Sequence, residues 1–320
     1  MDVAIGFDTS CYTTSVAAVD AEGNVIASHR MLLPVESGQR GLRQSEAVFA
    51  HVRQMPILVE KLGRDTRGMH LIAVAASTAP RAEEGSYMPV FRVGHGHAVA
   101  LASMLNVPFY GASHQQGHIA AGQIGMDALS ARFVALHVSG GTTELMLSDQ
   151  GKLSLLGGTL DLHTGQLIDR IGVAMGMDFP AGPALERLAL QCPDATQAML
   201  PVSLSRGDVD ANLSGAETRC LQWLQQGSLP PERIAAELFD FLSRMVARML
   251  VAGCKATNAD QALVVGGVAS SLLLRQKTLA RIQKMGINLD VRFGQPQYSA
   301  DNAAGVAWLG MQAHQQAQAR

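Results

Sequence analysis

Cysteine is scarce and scattered: Cys11, Cys192, Cys220 and Cys254 form no C-x-x-C pair. That excludes a disulfide framework and reads as reduced, buried thiols. Charge is also thin, at 16% of residues with a net of −2. Such a balance excludes a strongly basic nucleic-acid binder, because those neutralise many phosphates with Lys and Arg. A local basic patch, or a partner that supplies the RNA contact, stays open. No apolar run approaches the roughly 20 residues of a membrane span, and the start Met1-Asp2-Val3 soon meets Asp8, unlike a charged-then-apolar leader. These absences predict a cytoplasmic protein with no membrane association. Low-complexity tracts are missing too, apart from a Gln/Ala bias from Gln312.

Hydrophobic residues make up 48% of the 320, enough for two lobes with their own cores. Val3 to Phe7 is an apolar run that ends in Asp8-Thr9-Ser10-Cys11-Tyr12-Thr13-Thr14; Val16 to Val19 follows, then the turn Asp20 to Asn24 and a third run from Val25. The plan is strand, polar loop, strand, turn, strand. It returns midway: Phe133 to Val138, the loop Ser139-Gly140-Gly141-Thr142-Thr143, Leu145 to Leu147, a turn at Asp149-Gln150-Gly151, and Leu153 to Leu156. One unit thus opens each half of the chain. Helical spacing marks Glu46 to Leu62 and Ile234 to Ala252, the latter entered through Pro230-Pro231. Leu71 to Ala76, Pro108 to Gly111 and Ala262 to Val265 read as further strands. The expected architecture is a two-lobed α/β protein with related halves.

Loops rich in Ser, Thr and Gly can aim N–H groups and hydroxyls at a phosphate. Two of them facing across a cleft would clamp a nucleotide, and each alone is also an ordinary tight turn. A third candidate, Gly266-Gly267-Val268-Ala269-Ser270-Ser271, follows a strand and opens a helix. Ser113 and Gln116 fit a capping box, which starts a helix at His114 and puts His118 on the same face. Such a pair can share a metal, with Asp301 as a plausible third donor, or can be two surface histidines. His95 and His97, which flank Gly96, read either as lining the same cleft or as ordinary residues near a helix start. The motif lacks the Glu of a His-Glu-x-x-His protease.

In this order, Asp8-Thr9-Ser10-Cys11, Asn106-Val107-Pro108, His114-x-x-x-His118, Val138-Ser139-Gly140-Gly141, Asp161-x-x-x-Gly165-x-x-x-Asp169, Pro180 to Glu186, Leu213-Ser214-Gly215, Gly266-Gly267-Val268 and Asp301-Asn302-Ala303-Ala304 resemble the universal tRNA threonylcarbamoyl transferase family. The resemblance spans nearly the whole chain. It implies a duplicated ribonuclease-H-like, actin-like ATPase superfamily fold with a central nucleotide cleft. The first lobe would be 1–128 plus 297–320 and the second 129–296. It further implies one divalent metal, iron or zinc, on His114, His118 and Asp301. An adenylate or ATP-type nucleotide would sit on Ser139, Gly140, Gly141, Asp169 and Gly182; Thr142, Gly266, Gly267 and Ser271 join this set as loop candidates. The implied reaction moves threonylcarbamoyl from its adenylate to the exocyclic amine of a tRNA adenosine beside the anticodon, with a paralogous actin-like subunit and a small ATPase as partners.

The chain also departs from that family. Tyr12-Thr13 stands where the family carries an Asp-Glu pair, Thr142 where it carries His, and Ser271 where it carries Asn; an acidic position after Asp161 is Leu162, followed by His163. Loss of the acidic pair removes a candidate acid or base. No catalytic residue is assigned, and Ser10 and Thr13 are the candidates. Two alternatives therefore stand beside the tRNA enzyme: a carbamoyl transferase with a non-tRNA acceptor, and a catalytically silent nucleotide-binding scaffold.

Overall fold

The computed structural model describes residues 1–10, 12–34, 42–192, 198–298 and 303–319. The chain divides into two compact units, Met1–Asp127 with Gln297–Arg320, and Ala128–Pro296. Unit 1 begins with β1 (Asp2–Thr9), β2 (Thr13–Asp20) and β3 (Val25–Leu32), an antiparallel meander. It continues through α1 (Gln44–Asp65), β4 (His70–Ala79), α2 (Phe91–Leu105), β5 (Phe109–Ser113) and α3 (His114–Gln123). β4 pairs parallel to β1, and β5 parallel to β4, so the sheet order is β3-β2-β1-β4-β5. β1 is buried from Val3 to Thr9, which is why its sequence is a continuous apolar run: a central strand is covered on both faces. Asp20 Oδ1 accepts from the N–H groups of Glu22 and Asn24, and Gly23 takes the positive φ of +86° that closes the β2–β3 turn.

Unit 2 repeats the plan with β6 (Arg132–Val138), β7 (Thr143–Asp149) and β8 (Lys152–Gly158), then α4 (Thr164–Ala174) and α5 (Gly182–Ala189). A small ribbon, β9 (Ser203–Ser205) with β10 (Asp210–Asn212), leads to α6 (Ser214–Gln226), α7 (Pro231–Thr257), β11 (Gln261–Val265), α8 (Leu272–Lys284) and β12 (Asp290–Phe293). The large sheet runs β12-β11-β6-β7-β8, with β11 parallel to both β6 and β12. Strand order and directions match those of unit 1, so the ribonuclease-H-like arrangement occurs twice. Pro231 lies in the first turn of α7, where its missing N–H costs nothing. The middle of α7, around Leu238, Phe241, Leu242 and Met245, is fully enclosed in this unit's core.

The chain then returns to unit 1 as α9 (Ala303–Gln318). Its Ala307 and Met311 close one sheet face over Ala4, Val19 and Ala73. On the other face Met55, Leu58 and Leu62 of α1, and Ala98 and Ala102 of α2, pack on Ile5, Phe7, Val16 and Val74. Asp8 follows the period of Ala4 and Gly6 and so points to the α9 side. Cys192, Cys220 and Cys254 are free thiols; burial, with help from Glu237 and Asp260 respectively, pushes Cys220 and Cys254 up to about 12. Cys11 lies outside the described residues. Among the described residues no helix is long and apolar enough to cross a membrane.

Candidate active site

In unit 1 the site is built where β5 turns into α3. Ser113 Oγ accepts from Gln116 N–H at 3.1 Å, and Gln116 Oε1 accepts from Ser113 N–H at 2.8 Å. This reciprocal cap starts the helix at His114, so His114 and His118 stand one turn apart. Their Nε2 atoms face each other at 3.2 Å. Behind them, Asp8 Oδ1 takes the Nδ1 proton of His114 at 2.9 Å, and its carboxylate is 2% exposed. That bond leaves the His114 Nε2 lone pair directed at His118, as a backing carboxylate does for a metal-ligating imidazole. Phe91 packs on the His114 ring with centroids 5.5 Å apart.

Ring nitrogens about 2.0–2.1 Å from one ion, at angles between octahedral and tetrahedral, lie roughly 2.8–3.4 Å from each other. The 3.2 Å separation falls within that range. Among the described residues no group of three His, Cys, Asp or Glu completes a ligand set, and Asp301 lies outside them. α3 is held by α9 at backbone distance: a Cβ on Gly305 would come 1.9 Å from the Gly117 carbonyl oxygen.

Of the first loop, Ser10, Tyr12 and Thr13 are described, between β1 and the body of β2. Ser10 N–H donates to the Thr13 carbonyl at 3.1 Å, and Leu33 N–H to the Tyr12 carbonyl at 2.8 Å. Ser10 and Thr13 are thus in one turn, and Tyr12 is 57% exposed. Beneath the loop lie His51 and Gln54 of α1, which the sequence reading did not single out. Their signal was present as two polar residues on the helix face that otherwise carries Met55, Leu58 and Leu62 into the core. His95 and His97 sit in the early turns of α2; His97 Nδ1 donates to Val93 O at 2.9 Å, and the His95 ring meets Phe109 edge-on.

In unit 2, Ser139 N–H donates to Thr142 O at 2.8 Å, which closes the β6–β7 loop. Gly165 N–H donates to Ser139 O, and Thr164 N–H to Thr143 Oγ1 at 2.8 Å, so the start of α4 abuts the loop. A Cβ on Gly165 would come 2.7 Å from Gly140 N and Cα; backbone contact explains that glycine. Gly140, Gly141 and Gly267 are different. None has a positive φ, and an added Cβ would meet nothing within 4 Å. The fold does not need glycine there; close approach by a ligand would. Gly266 is demanded by the fold, with φ +100° and the Val138 carbonyl oxygen 2.3 Å from its absent Cβ. Because Val265 pairs with His137, the Gly266–Gly267 turn and the Ser139–Thr142 loop emerge side by side from parallel strands.

As expected, α8 opens directly after the third loop: the loop holds a 3₁₀ turn, Gly267–Ser270, and Ser271 caps α8 by accepting from Leu274 N–H at 3.1 Å. Asp169 accepts from the N–H of Ala181 at 2.8 Å and from Gly182. Burial raises its pKa above the usual carboxylate range, more than these two bonds lower it. Glu186 Oε1 accepts from Leu273 N–H at 2.7 Å, tying α5 to the start of α8. Burial also pushes Asp161 upward, but bonds from Leu213 N–H, both Ser214 donors and Leu162 N–H outweigh it and hold the carboxylate below its ordinary value. Leu162 itself is 4% exposed and joins the core, so that departure from the family serves packing. His163 precedes α4, its Nδ1 3.3 Å from the Thr159 hydroxyl.

Known proteins resemble this chain in sequence and in fold. A tRNA N6-adenosine threonylcarbamoyltransferase of Thiobacillus denitrificans is 32% identical, over 97% of this chain and 90% of its own length. One from Thermus thermophilus is 31% identical over 97% and 93%. The crystal structure of T. kodakarensis HypF superposes with a TM-score of 0.62 at 13% identity, covering 99% of this chain and 48% of that one; at that identity it speaks for the fold alone. Residues 34–308 match the family described as tRNA N6-adenosine threonylcarbamoyltransferase, and the chain belongs to that family.

Proposed function

We propose that the protein transfers a threonylcarbamoyl group from its adenylate to the exocyclic amine of a tRNA adenosine next to the anticodon. The observation that carries this reading, given the family, is the convergence of His114 and His118 with Asp8 behind them. His114 and His118 are the residues that would hold a divalent metal, iron or zinc, with Asp301 as the expected third ligand. Bound there, such an ion supplies a Lewis acid that polarises a carbonyl oxygen. Asp8 keeps the His114 proton on Nδ1. In unit 2, Gly140, Gly141, Thr142 and Gly267 would offer N–H groups to an adenylate, with open space at the three glycines, and Ser139 would hold the loop closed through its own N–H bond to Thr142; Asp169 positions the α5 start at Gly182 and Ser271 fixes α8. In the transfer, the amine nitrogen bonds to the carbamoyl carbon. The carbon–oxygen bond to phosphate breaks, AMP leaves with the electron pair, and the amine loses one proton. Catalysis of this kind rests largely on positioning. A paralogous actin-like subunit and a small ATPase are the expected partners.

Tyr12-Thr13, where the family has an acidic pair, favours a second reading: a carbamoyl transferase for another acceptor, or a silent scaffold. Incubation with threonylcarbamoyl adenylate and unmodified tRNA, alone and with the bacterial partner subunits, separates them. Modified adenosine is the expected product. Adenylate binding without modified tRNA, partners included, would overturn the tRNA reading.

The nucleotide assignment has its own test. Gly140→Ala with Gly141→Ala should leave the melting temperature within about 2 °C of wild type. The same variant should weaken adenylate binding by about tenfold or more, a loss of roughly 1.4 kcal/mol. Unchanged affinity by calorimetry would remove these glycines from the site.

A further inference from the structure

The polar group beneath the first loop does not balance with an ordinary histidine. His51 and Thr14 are fully buried and Gln54 is nearly so. His51 Nε2 lies 2.7 Å from the Ser10 carbonyl oxygen, its Nδ1 2.7 Å from Thr14 Oγ1, and Thr14 Oγ1 2.6 Å from Gln54 Oε1. Gln54 Nε2 donates to Leu32 O at 2.9 Å, which turns its carbonyl oxygen toward Thr14. The hydrogens can be counted from the ends inward. A carbonyl only accepts, so Nε2 must carry a hydrogen for Ser10. Gln54 Oε1 only accepts, so it takes the one hydroxyl hydrogen of Thr14. Thr14 Oγ1 then faces Nδ1 as an acceptor, and the contact is a bond only if Nδ1 also carries a hydrogen. The chain closes with an imidazolium and is one hydrogen short with a neutral ring, which leaves a buried polar group unmet.

Burial opposes the second proton and holds the ring below the ordinary histidine pKa, while the Ser10 carbonyl and the charge of Asp8 pull upward. The groups in contact with the ring are Ser10, just past β1, and Thr14 of β2, with Gln54 of α1 itself behind Thr14; Asp8, whose side chain lies toward α9, acts on the ring through its charge, and the adjoining packing of Ala47 against Val90 and Phe91 is apolar.

We propose that the second proton of His51 is a latch on the first loop, making His51 a positioning residue for Ser10 and Thr13. With both protons the ring grips the Ser10 carbonyl and the Thr14 hydroxyl together. With one proton it must release Thr14, or Thr14 must release Gln54, and the loop gains a second arrangement. The latch is closed below the pKa of the folded ring and opens as pH rises through it. Because that pKa lies below the unfolded value, charging the ring closes the loop at the expense of overall stability, over the window between the two. The link to catalysis rests on the transferase reading; the latch itself does not.

The test is NMR on the labelled full-length chain, following the His51 ring nitrogens and the amides of Ser10, Thr13 and Thr14 from about pH 5 to 8. The ring and these amides should move with one midpoint. Gln54→Glu puts a negative charge at the end of the network and should raise that midpoint by about one unit or more. Thr14→Val, which removes the acceptor, should lower it and uncouple the amides. The pH profile of adenylate transfer should shift in the same direction in Gln54→Glu. A His51 that stays singly protonated at every pH where the protein is folded overturns the latch, as does one that titrates while the loop amides stay still. Both outcomes are read without activity, so a failed tRNA assay leaves the test intact.

Discussion

His114→Ala with His118→Ala should abolish bound metal and lower threonylcarbamoyl transfer by about a thousandfold, the loss of several kcal/mol of charge stabilisation. The fold should survive. His114 is roughly a quarter exposed on its side chain, and the capping box that starts α3 uses Ser113 and Gln116 rather than either ring. Elemental analysis with a melting curve makes the check. Metal retained at the wild-type ratio in a folded double variant would sink the pair as ligands, because no compensating donor trio exists among the described residues. Asp8→Asn gives a graded companion. Its amide can still meet His114 Nδ1 but no longer fixes which nitrogen holds the proton, and changes behind a metal ligand typically cost about 10–100-fold in metal affinity.

Gly305→Ala should be the most damaging small substitution in unit 1. Its added Cβ would lie 1.9 Å from Gly117 O and 2.5 Å from Ala121 N, both backbone atoms of α3 that no rotamer change can clear. Overpacking costs about 1–3 kcal/mol, occasionally more, and here the upper end or beyond is expected. For units of this size each kcal/mol is about 2–4 °C in melting temperature. Metal binding should weaken alongside, since pushing α3 off α9 moves the helix that carries both histidines. Gly63→Ala is the control: the position is in α1, with nothing within 4 Å of the added Cβ, and Ala is the better helix former there. Equal melting temperatures for Gly305→Ala and wild type, by calorimetry, would contradict the backbone contact described between α3 and α9.

What could be read in advance follows from what is local. The hairpins of both units were legible because apolar runs and turn residues lie next to each other in the chain, and the start of α3 because Ser113 and Gln116 are three residues apart. Asp8 was read as part of a motif, but its bond to His114 spans the sequence from residue 8 to residue 114, and no local pattern encodes that. His51 and Gln54 were passed over for the same reason: their partners, Ser10 and Thr14, belong to a different element. β9, β10 and β12, of three or four residues each, are too short to show a period. Leu162 read as a lost acid; only burial reveals it as part of the core. The glycines separate in the same way. Gly140 and Gly266 look alike in sequence, yet one meets open space and the other a carbonyl.

The return of α9 to the first unit has a consequence for how the chain comes to be folded. Unit 2 is one continuous stretch, Ala128–Pro296, whereas unit 1 needs both ends of the chain. During synthesis the N-terminal sheet emerges first, but the face made by Ala4, Val19 and Ala73 stays uncovered until Ala307 and Met311 have been made. The usual order, N-terminal part first, is therefore inverted. The second unit can finish while the first waits with an apolar face open, which is the interval in which a holding chaperone would matter most.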